Sequence, residues 1–240
     1  MHAESARRTW PFARGVPCAP TSRWREKLAT ARSRILEGGA RAFGRLGHAR
    51  TRVEDVLHES GVSRPTFYKE FANADALFET LARVHFAELS QLWVDALDAV
   101  SDPGGKLLSV SDAYFRWRIE LGEFGRVLDT EARDPRSVAA RLRRPVSTRL
   151  VAAFEAQIVA LGRPLPDPLL LHALLAAAEH LGDTLPSTRT PTDAERIRRR
   201  DVLVRLAAGA LAMDGEPLPP LPKDASDDEA TASFPTPTED

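Results

Sequence analysis

The sequence contains little of what several common protein classes require. Cys18 is the only cysteine among 240 residues, which excludes an internal disulfide and a cysteine-based metal site. No run of 18 apolar residues occurs, and the longest candidate, residues 169–181, is interrupted by His172, Glu179 and His180. The N-terminal stretch also lacks the apolar segment of a signal peptide. We therefore expect a cytoplasmic protein with no membrane partner.

Residues that favour β-sheets are scarce as well. Four Ile and 15 Val stand against 36 Ala and 29 Leu. Ala and Leu lose little side-chain entropy in a helix, whereas β-branched residues suit strands. This composition predicts an all-α fold.

Sequence signatures of catalysis are missing too. There is no glycine-rich phosphate loop and no Ser/His/Asp pattern. His172 and His180 are eight residues apart, too far for one helix to present both to a metal ion, because a spacing of four is the useful one. We predict neither an enzyme nor a bound metal or cofactor.

Charge is distributed unevenly, although the formal net charge is −1. Residues 1–72 carry 14 Lys/Arg and 7 Asp/Glu, a formal charge of +7, while the remaining 168 residues carry 19 and 27, a formal charge of −8. A basic end on an acidic body favours a polyanionic partner, most often nucleic acid. A positive face that is merely solvated is the alternative.

Both ends of the chain are predicted to be disordered. Residues 1–24 mix proline, glycine and arginine without a period, and residues 214–240 contain six Pro, eight acidic residues and one Lys. Such compositions bury too little apolar surface to offset the entropy of ordering. The arginines of the N-terminal arm either enter a DNA minor groove or belong to an inert tail.

The rest of the chain has helical periodicity. Apolar or small residues recur every three to four positions from Leu28 to Leu46, where Gly47 is a good C-terminal stop, and Asn73 opens a long helix. Proline and glycine breaks predict five more helices, near 104–121, 123–130, 135–161, 167–184 and 192–212.

Two short helices joined by a sharp turn are predicted between Gly47 and Asn73. Thr51 and Glu54 have the spacing of a capping box, and Gly61 permits the turn. Ser63 can cap the next helix. This arrangement is a helix-turn-helix, whose second helix offers its N-terminal residues to base edges. A helical hairpin packed in a core is the alternative.

Residues 51–71, TRVEDVLHESGVSRPTFYKEF, resemble the DNA-binding region of TetR/AcrR-type transcriptional regulators. The combination Gly-Val-Ser-x-x-Thr-Phe-Tyr-x-x-Phe carries the resemblance, which extends over about 55 residues with the flanking helices. It implies nine helices, three for DNA and six that form a ligand pocket and a dimer interface. It also implies a ligand-responsive regulator, most often a repressor, that binds a palindromic operator as a homodimer.

The resemblance divides the chain and assigns its DNA contacts. Residues 25–72 would be the helix-turn-helix domain and residues 73–213 the effector-binding and dimerisation domain, between the arm 1–24 and the tail 214–240. The implied DNA-binding residues are Arg52, Ser63, Arg64, Pro65, Thr66, Tyr68 and Lys69.

Each implied DNA contact has its own role. Arg52 would approach a phosphate or a base, Arg64 and Thr66 would read base edges, and Tyr68 and Lys69 would contact phosphates. Arg64 is the first candidate for specificity, because an Arg can pair bidentately with guanine O6 and N7.

Three positions depart from the family pattern. Ala74 stands where Lys is usual, Glu70 replaces a frequent His, and Leu57 replaces a usual Ala. The first two weaken the expected phosphate contacts. They leave open a second hypothesis, a helical small-molecule-binding or interaction protein with a degenerate DNA-binding module.

The family's effector cavity falls on a region rich in aromatic residues here. Trp93, Tyr114, Phe115, Trp117 and Arg118 are candidates to bind a small, mostly apolar effector with a polar end, and plain core packing is the alternative. The resemblance also implies a homodimer through residues 167–184 and 192–212, with packing inside one chain as the alternative.

Overall fold

The computed structural model describes residues 30–186 and 189–212, which form eight helices and no strand. The all-α prediction is confirmed. The predicted arm, 1–24, and tail, 214–240, lie outside the described residues. The helices are α1 (Ala31–Leu46), α2 (Val53–Ser60), α3 (Arg64–Glu70), α4 (Ala74–Asp98), α5 (Pro103–Arg133), α6 (Val138–Ala160), α7 (Pro168–Asp183) and α8 (Asp193–Leu211). In these ranges no helix combines the length and apolarity needed to cross a membrane.

The predicted stop of α1 is confirmed, but the predicted cap of α2 is wrong. Gly47 ends α1 with φ of 82°. The backbone N–H of Arg52 donates to the Asp55 carboxylate at 2.9 Å, so Asp55 rather than Glu54 completes the first turn of α2. The Thr51 hydroxyl instead donates to the Gly47 carbonyl at 2.7 Å, because α2 begins one residue later than the pattern suggested.

The two helices predicted near 104–121 and 123–130 form one element, α5, bent at Gly122. Gly122 has φ of 54° and ψ of −131°, a conformation that a side chain would strain. The Arg118 guanidinium donates to the Gly122 carbonyl at 3.0 Å and occupies an acceptor freed by the bend. The break was correctly located: the backbone leaves the helical conformation at Gly122, so α5 consists of two helical stretches on either side of this residue, as the sequence predicted.

A continuous aromatic core joins the first three helices to the rest. The Phe43 ring lies 5.2 Å from that of Phe78 and 6.4 Å from that of Phe124, centroid to centroid, which links α1 to α4 and α5. All three rings are buried, and each such side chain contributes on the order of 2–3 kcal/mol of apolar burial. The helix-turn-helix is therefore fixed to the long helices behind it.

His48 lies at the same junction, in the short 3₁₀ turn after α1. Its ring stacks on Phe78 at 4.0 Å between centroids. One ring nitrogen lies 3.0 Å from the Asp75 carboxylate of α4 and the other lies 3.2 Å from the Glu131 carboxylate of α5. A single side chain thus contacts both α4 and α5.

Candidate nucleic-acid interface and helical-domain cavity

The angle between α2 and α3 is fixed by side chains from α1. Gly61 adopts the left-handed conformation, with φ of 63° and ψ of 24°, as predicted. The Arg34 guanidinium donates to the carbonyls of Ser60, at 3.0 Å, and Gly61, at 2.9 Å. Gly38 allows this close packing, because a Cβ there would lie 2.6 Å from both Cβ and backbone N of Ser60. The turn is therefore held by backbone contacts as well as by its own sequence.

The start of α3 has the predicted cap. The Ser63 hydroxyl accepts from the backbone N–H of Thr66 at 3.4 Å and shares a 2.8 Å hydrogen bond with the Thr66 hydroxyl. Pro65 lies in the first turn, where no N–H is needed. Phe67 is fully buried. One face of α3 is thus anchored in the core, and the opposite face is left for contacts outside the chain.

Arg64 lies at the exposed N-terminal end of α3 beside an acidic partner. Its side chain is 55% exposed and forms an ion pair with Glu54 in the first turn of α2. The backbone N–H of Glu54, followed by the Arg64 guanidinium, holds the pKa of the Glu54 carboxyl below its usual value. Glu54 orients the Arg64 side chain at the N-terminal end of α3, but it also competes with any anionic ligand for the Arg64 guanidinium.

The remaining predicted contacts are also accessible. Tyr68 is 48% exposed, and its ring packs edge-on against Phe67, 5.4 Å away between centroids. Arg52 and Lys69 are exposed, and neither forms an ion pair with another residue in the described ranges. Their charges remain available to a polyanion.

The acidic departure at Glu70 is neutralised inside the chain. Arg32 of α1 forms an ion pair with Glu70 at 3.3 Å, and its guanidinium lies 4.7 Å from the centre of the Phe71 ring. Ala74 is the first residue of α4, half-buried against the core, and supplies no cation. The missing Lys therefore removes one contact, whereas Glu70 adds no net repulsion.

Several arginines of the basic N-terminal region have structural partners. Arg41 donates to the Glu59 carbonyl at 2.6 Å, and both Arg41 and Arg45 lie 3.3 Å from the Glu59 carboxylate. Together with Arg34, they bind the C-terminal end of α2, where cations are favoured. The charge count of residues 1–72 could not distinguish these structurally paired arginines from the basic residues that remain available to a partner.

A small cavity of about 30 Å³ lies between α4, α5, α6 and α7. Trp93, Tyr114 and Trp117, three of the residues predicted for an effector pocket, line this cavity. Phe115 is fully buried in the core, and Arg118 is 2% exposed and points to an acidic partner, so neither lines this cavity. The space suffices for one or two water molecules.

The wall of the cavity carries three buried donors without a partner in the described residues. They are the indole N–H groups of Trp93 and Trp117 and the hydroxyl of Tyr114. Leaving a buried donor unsatisfied costs about 1–3 kcal/mol, so such groups are rare in a well-packed interior. Burial, together with the Asp129 carboxylate, raises the pKa of Tyr114 well above 10, so its hydroxyl keeps its proton.

Charges beside the cavity are paired. Arg118 donates to the Asp129 carboxylate at 2.8 Å and lies 3.5 Å from Asp183. Arg143 of α6 forms an ion pair with Glu179 of α7. Burial raises the pKa of the Asp129 carboxyl from 3.8 to about 6, and Arg118 opposes this shift.

No cluster that could hold a metal ion occurs among the residues the structure describes. His172 and His180 of α7 are both exposed. The sequence gives no reason to place either near a third ligand.

Residues 35–81 match the family model for bacterial regulatory proteins of the tetR family. This stretch contains the turn at Gly61 and the exposed face of α3. This part of the chain therefore has the sequence of a TetR-type DNA-binding module. Regulators with this module bind DNA through a helix-turn-helix.

Solved structures of TetR-type regulators share the fold over most of the chain. PfmR from Thermus thermophilus, a TetR family transcriptional regulator, is 23% identical with a TM-score of 0.59, over 74% of this chain and 97% of that one. FadR from Bacillus subtilis, in complex with stearoyl-CoA, is 13% identical with a TM-score of 0.61, over 73% of this chain and 97% of that one.

A tetR-family regulatory protein from Rhodococcus is 19% identical with a TM-score of 0.59, over 74% of this chain and 97% of that one. No curated protein sequence matches this chain. The likeness therefore establishes the fold of the helical domain and leaves its ligand to be argued from its own residues.

Sequence reasoning missed the polar residues around the cavity. Asp129, Arg143 and Glu179 line the cavity but lie on three different helices. They were missed because they lie far in sequence from the aromatic region on which the prediction was based. An acidic or basic residue at an inward position of an amphipathic helix was the one available signal.

Proposed function

We propose that this protein is a TetR-type, ligand-responsive repressor that binds a palindromic operator as a homodimer. Residues 25–72 would read DNA, and residues 73–213 would bind the effector and form the dimer. The observation that carries the proposal is the exposed face of α3. It presents Arg64, Tyr68 and Lys69 while Phe67 on the opposite face is fully buried.

Within this proposal the exposed residues have separate tasks. Arg64 reads a base edge, assisted by Thr66, whose hydroxyl lies at the same end of α3. Arg52, Tyr68 and Lys69 contact phosphates, and Ser63 and Pro65 set the start of the helix. The internal pairing of Glu70 with Arg32 argues against the alternative of a degenerate DNA module.

The test begins with selection of an operator by the purified chain from a random DNA library. We expect Arg64→Ala to cost about 1–3 kcal/mol on the selected operator and less on random DNA, and Lys69→Ala to weaken both equally. Arg116→Ala removes an Arg from a comparably exposed ion pair outside the reading helix and serves as the control. Equal losses on both DNAs would make Arg64 a phosphate contact, and failure to select any sequence would refute the proposal.

The dimer is proposed to form through α7 and α8. Leu169 is 74% exposed, Val202 47% and Leu206 48%, an apolar face that a single chain leaves uncovered. The inner side of α8 is held by the ion pair between the buried Arg196 and Asp112 of α5. Residues 167–184 and 192–212 thus pair inward with their own chain and outward with a second copy.

We expect Leu206→Glu to convert the dimer to monomers with poor operator affinity, because two half-sites about 34 Å apart need two linked modules. Val84→Glu places the same charge at another exposed apolar position, 42% exposed on α4, and should leave the dimer intact. Light scattering at micromolar concentration distinguishes the two. A wild-type monomer would contradict the proposed assembly.

A small-molecule effector is supported by the cavity and by the fold. The Bacillus subtilis neighbour is in complex with stearoyl-CoA, so a helical domain of this kind can accommodate a ligand. Here the apolar wall with three free donors has the character of a site for a mostly apolar molecule with a polar end. Such a ligand shifts DNA affinity only if it binds the two arrangements of the protein unequally.

A further inference from the structure

The polar groups of the cavity restrict the chemical class of its ligand more than its apolar wall does. Trp93 is 8% exposed, Tyr114 5% and Trp117 3%, and in the described residues nothing accepts a hydrogen bond from their N–H and O–H groups. An indole N–H can only donate. The partner that satisfies these groups must therefore bring acceptor atoms.

An anionic partner finds no free cation among the described residues around the cavity. Arg143 is paired with Glu179, and Arg118 lies 2.8 Å from Asp129 and 3.5 Å from Asp183. A carboxylate or phosphate would have to displace one of these acids from its arginine, which would leave the buried Asp129 or the partly buried Glu179 or Asp183 unpaired. The paired charges thus disfavour an anionic ligand, and the unsatisfied donors disfavour a cationic one.

We propose that the effector site takes an uncharged, mainly apolar molecule whose acceptor oxygens, as in an aryl ketone or a lactone, accept from Trp93, Tyr114 and Trp117. This rests on the proposed ligand-responsive function. Phe86, Leu89 and Leu175 receive the apolar body of the molecule.

The cavity enlarges when the ligand enters, because about 30 Å³ holds no aromatic ring. The wall that moves is α6. Pro145 lies inside this helix, next to Val146 and Ser147 of the cavity wall, and has no N–H for the helical ladder. A helix that already lacks one backbone hydrogen bond bends there at least cost.

The experiment uses three probes of one shape and follows the indole N–H resonances of the 15N-tryptophan-labelled full chain by NMR. The probes are 2-acetylnaphthalene, which has a carbonyl acceptor, 2-isopropylnaphthalene, which has none, and 2-naphthoate, which is an anion. Trp93→Phe and Trp117→Phe assign the resonances of these two indoles among the four tryptophans of the chain. We expect the ketone to bind tightest and to move both resonances downfield, as an N–H proton does when it is donated to an acceptor oxygen.

Tyr114→Phe removes one donor and nothing else. We expect it to weaken binding of the ketone about two- to tenfold and to leave binding of the hydrocarbon unchanged. Ser101→Ala, which removes an exposed hydroxyl between α4 and α5 and outside the cavity, should alter neither. Variants that bind the hydrocarbon normally are folded around the site, so a loss confined to the ketone reports the lost hydrogen bond.

A carboxylate or hydrocarbon that binds at least as tightly as the ketone would overturn the inference, and so would saturating ketone that leaves both indole resonances unmoved. Gel-shift titration on the selected operator keeps the proposed function separate. Ketone binding that leaves operator affinity unchanged supports the ligand class and refutes ligand response. Release of the operator by the carboxylate alone supports ligand response and refutes the ligand class.

Discussion

The helix-turn-helix and the helical domain behind it keep their polar groups in opposite places. In the first, arginines at exposed or half-exposed positions donate to backbone carbonyls and carboxylates, as Arg34 does at Ser60 and Gly61. In the second, Arg118 and Asp129 form an ion pair at 2% and 4% side-chain exposure, and the two indoles carry unsatisfied donors. A DNA-binding module needs a fixed angle between its helices, and these hydrogen bonds and ion pairs fix that angle. An interior with charges and free donors is suited to change when a ligand enters.

The largest expected effect tests the buried charge. Arg118→Met leaves Asp129 without its cation in the interior, which costs about 3–5 kcal/mol of unfolding free energy. Arg116→Met, two residues away and 61% exposed, is the matched control and should cost little. Urea unfolding at fixed protein concentration measures both.

The double variant Arg118→Met with Asp129→Leu removes both charges. We expect it to recover much of the loss, because no unpaired ion remains. An Arg118→Met variant as stable as the wild type would contradict the claim that the helical domain, unlike the helix-turn-helix, depends on a buried ion pair.

A second effect concerns pH. The pKa of Asp129 rises from 3.8 to about 6 on folding, so the folded state binds more protons in that window and stability falls as pH rises through it. We expect the wild type to lose on the order of 2 kcal/mol relative to Asp129→Asn between about pH 4 and pH 7.

Asp98→Asn alters an exposed carboxyl at the end of α4 and gives the baseline for this measurement. Unfolding curves collected across the pH range for all three proteins decide the matter. Parallel curves for the wild type and Asp129→Asn would show that burial leaves this carboxyl unaffected.

The smallest effect tests the steric fit of the first region. A Cβ at Gly38 would lie 2.6 Å from backbone N of Ser60, so Gly38→Ala forces α1 and α2 apart and costs about 1–2 kcal/mol. Gly104→Ala places a methyl group in ordinary contact, 3.5 Å from Asp102, and should be neutral or stabilising. Thermal unfolding and operator affinity should both fall for Gly38→Ala, and equal behaviour of the two variants would count against the steric explanation.

Local rules predicted the helix-turn-helix well. The stop at Gly47, the turn at Gly61 and the caps at Ser63 and Asn73 each depend on a few neighbouring residues, and all are present. The cap at Thr51 failed because α2 begins one residue later and the Thr51 hydroxyl donates to the Gly47 carbonyl just after α1, a partner that the short pattern does not include.

The polar interior of the helical domain was beyond the reach of such rules. Arg118 was assigned to the pocket from its place in an aromatic stretch. Its true partners are Asp129, 11 residues away, and Asp183, 65 residues away. Only the packing of α5 against α7, together with the bend at Gly122, brings these groups together. Spacing along one helix carries no information about that packing.

The position of His48 has a consequence for how the molecule unfolds. Its ring packs on Phe78 and bridges carboxylates at the beginning of α4 and near the end of α5. Part of the apolar packing that stabilises the helix-turn-helix is therefore provided by residues of the helical domain. Unfolding of the helical domain would remove these packing contacts. We therefore expect the whole chain to unfold in a single cooperative transition, with amide protons of α1 and α5 exchanging at similar rates.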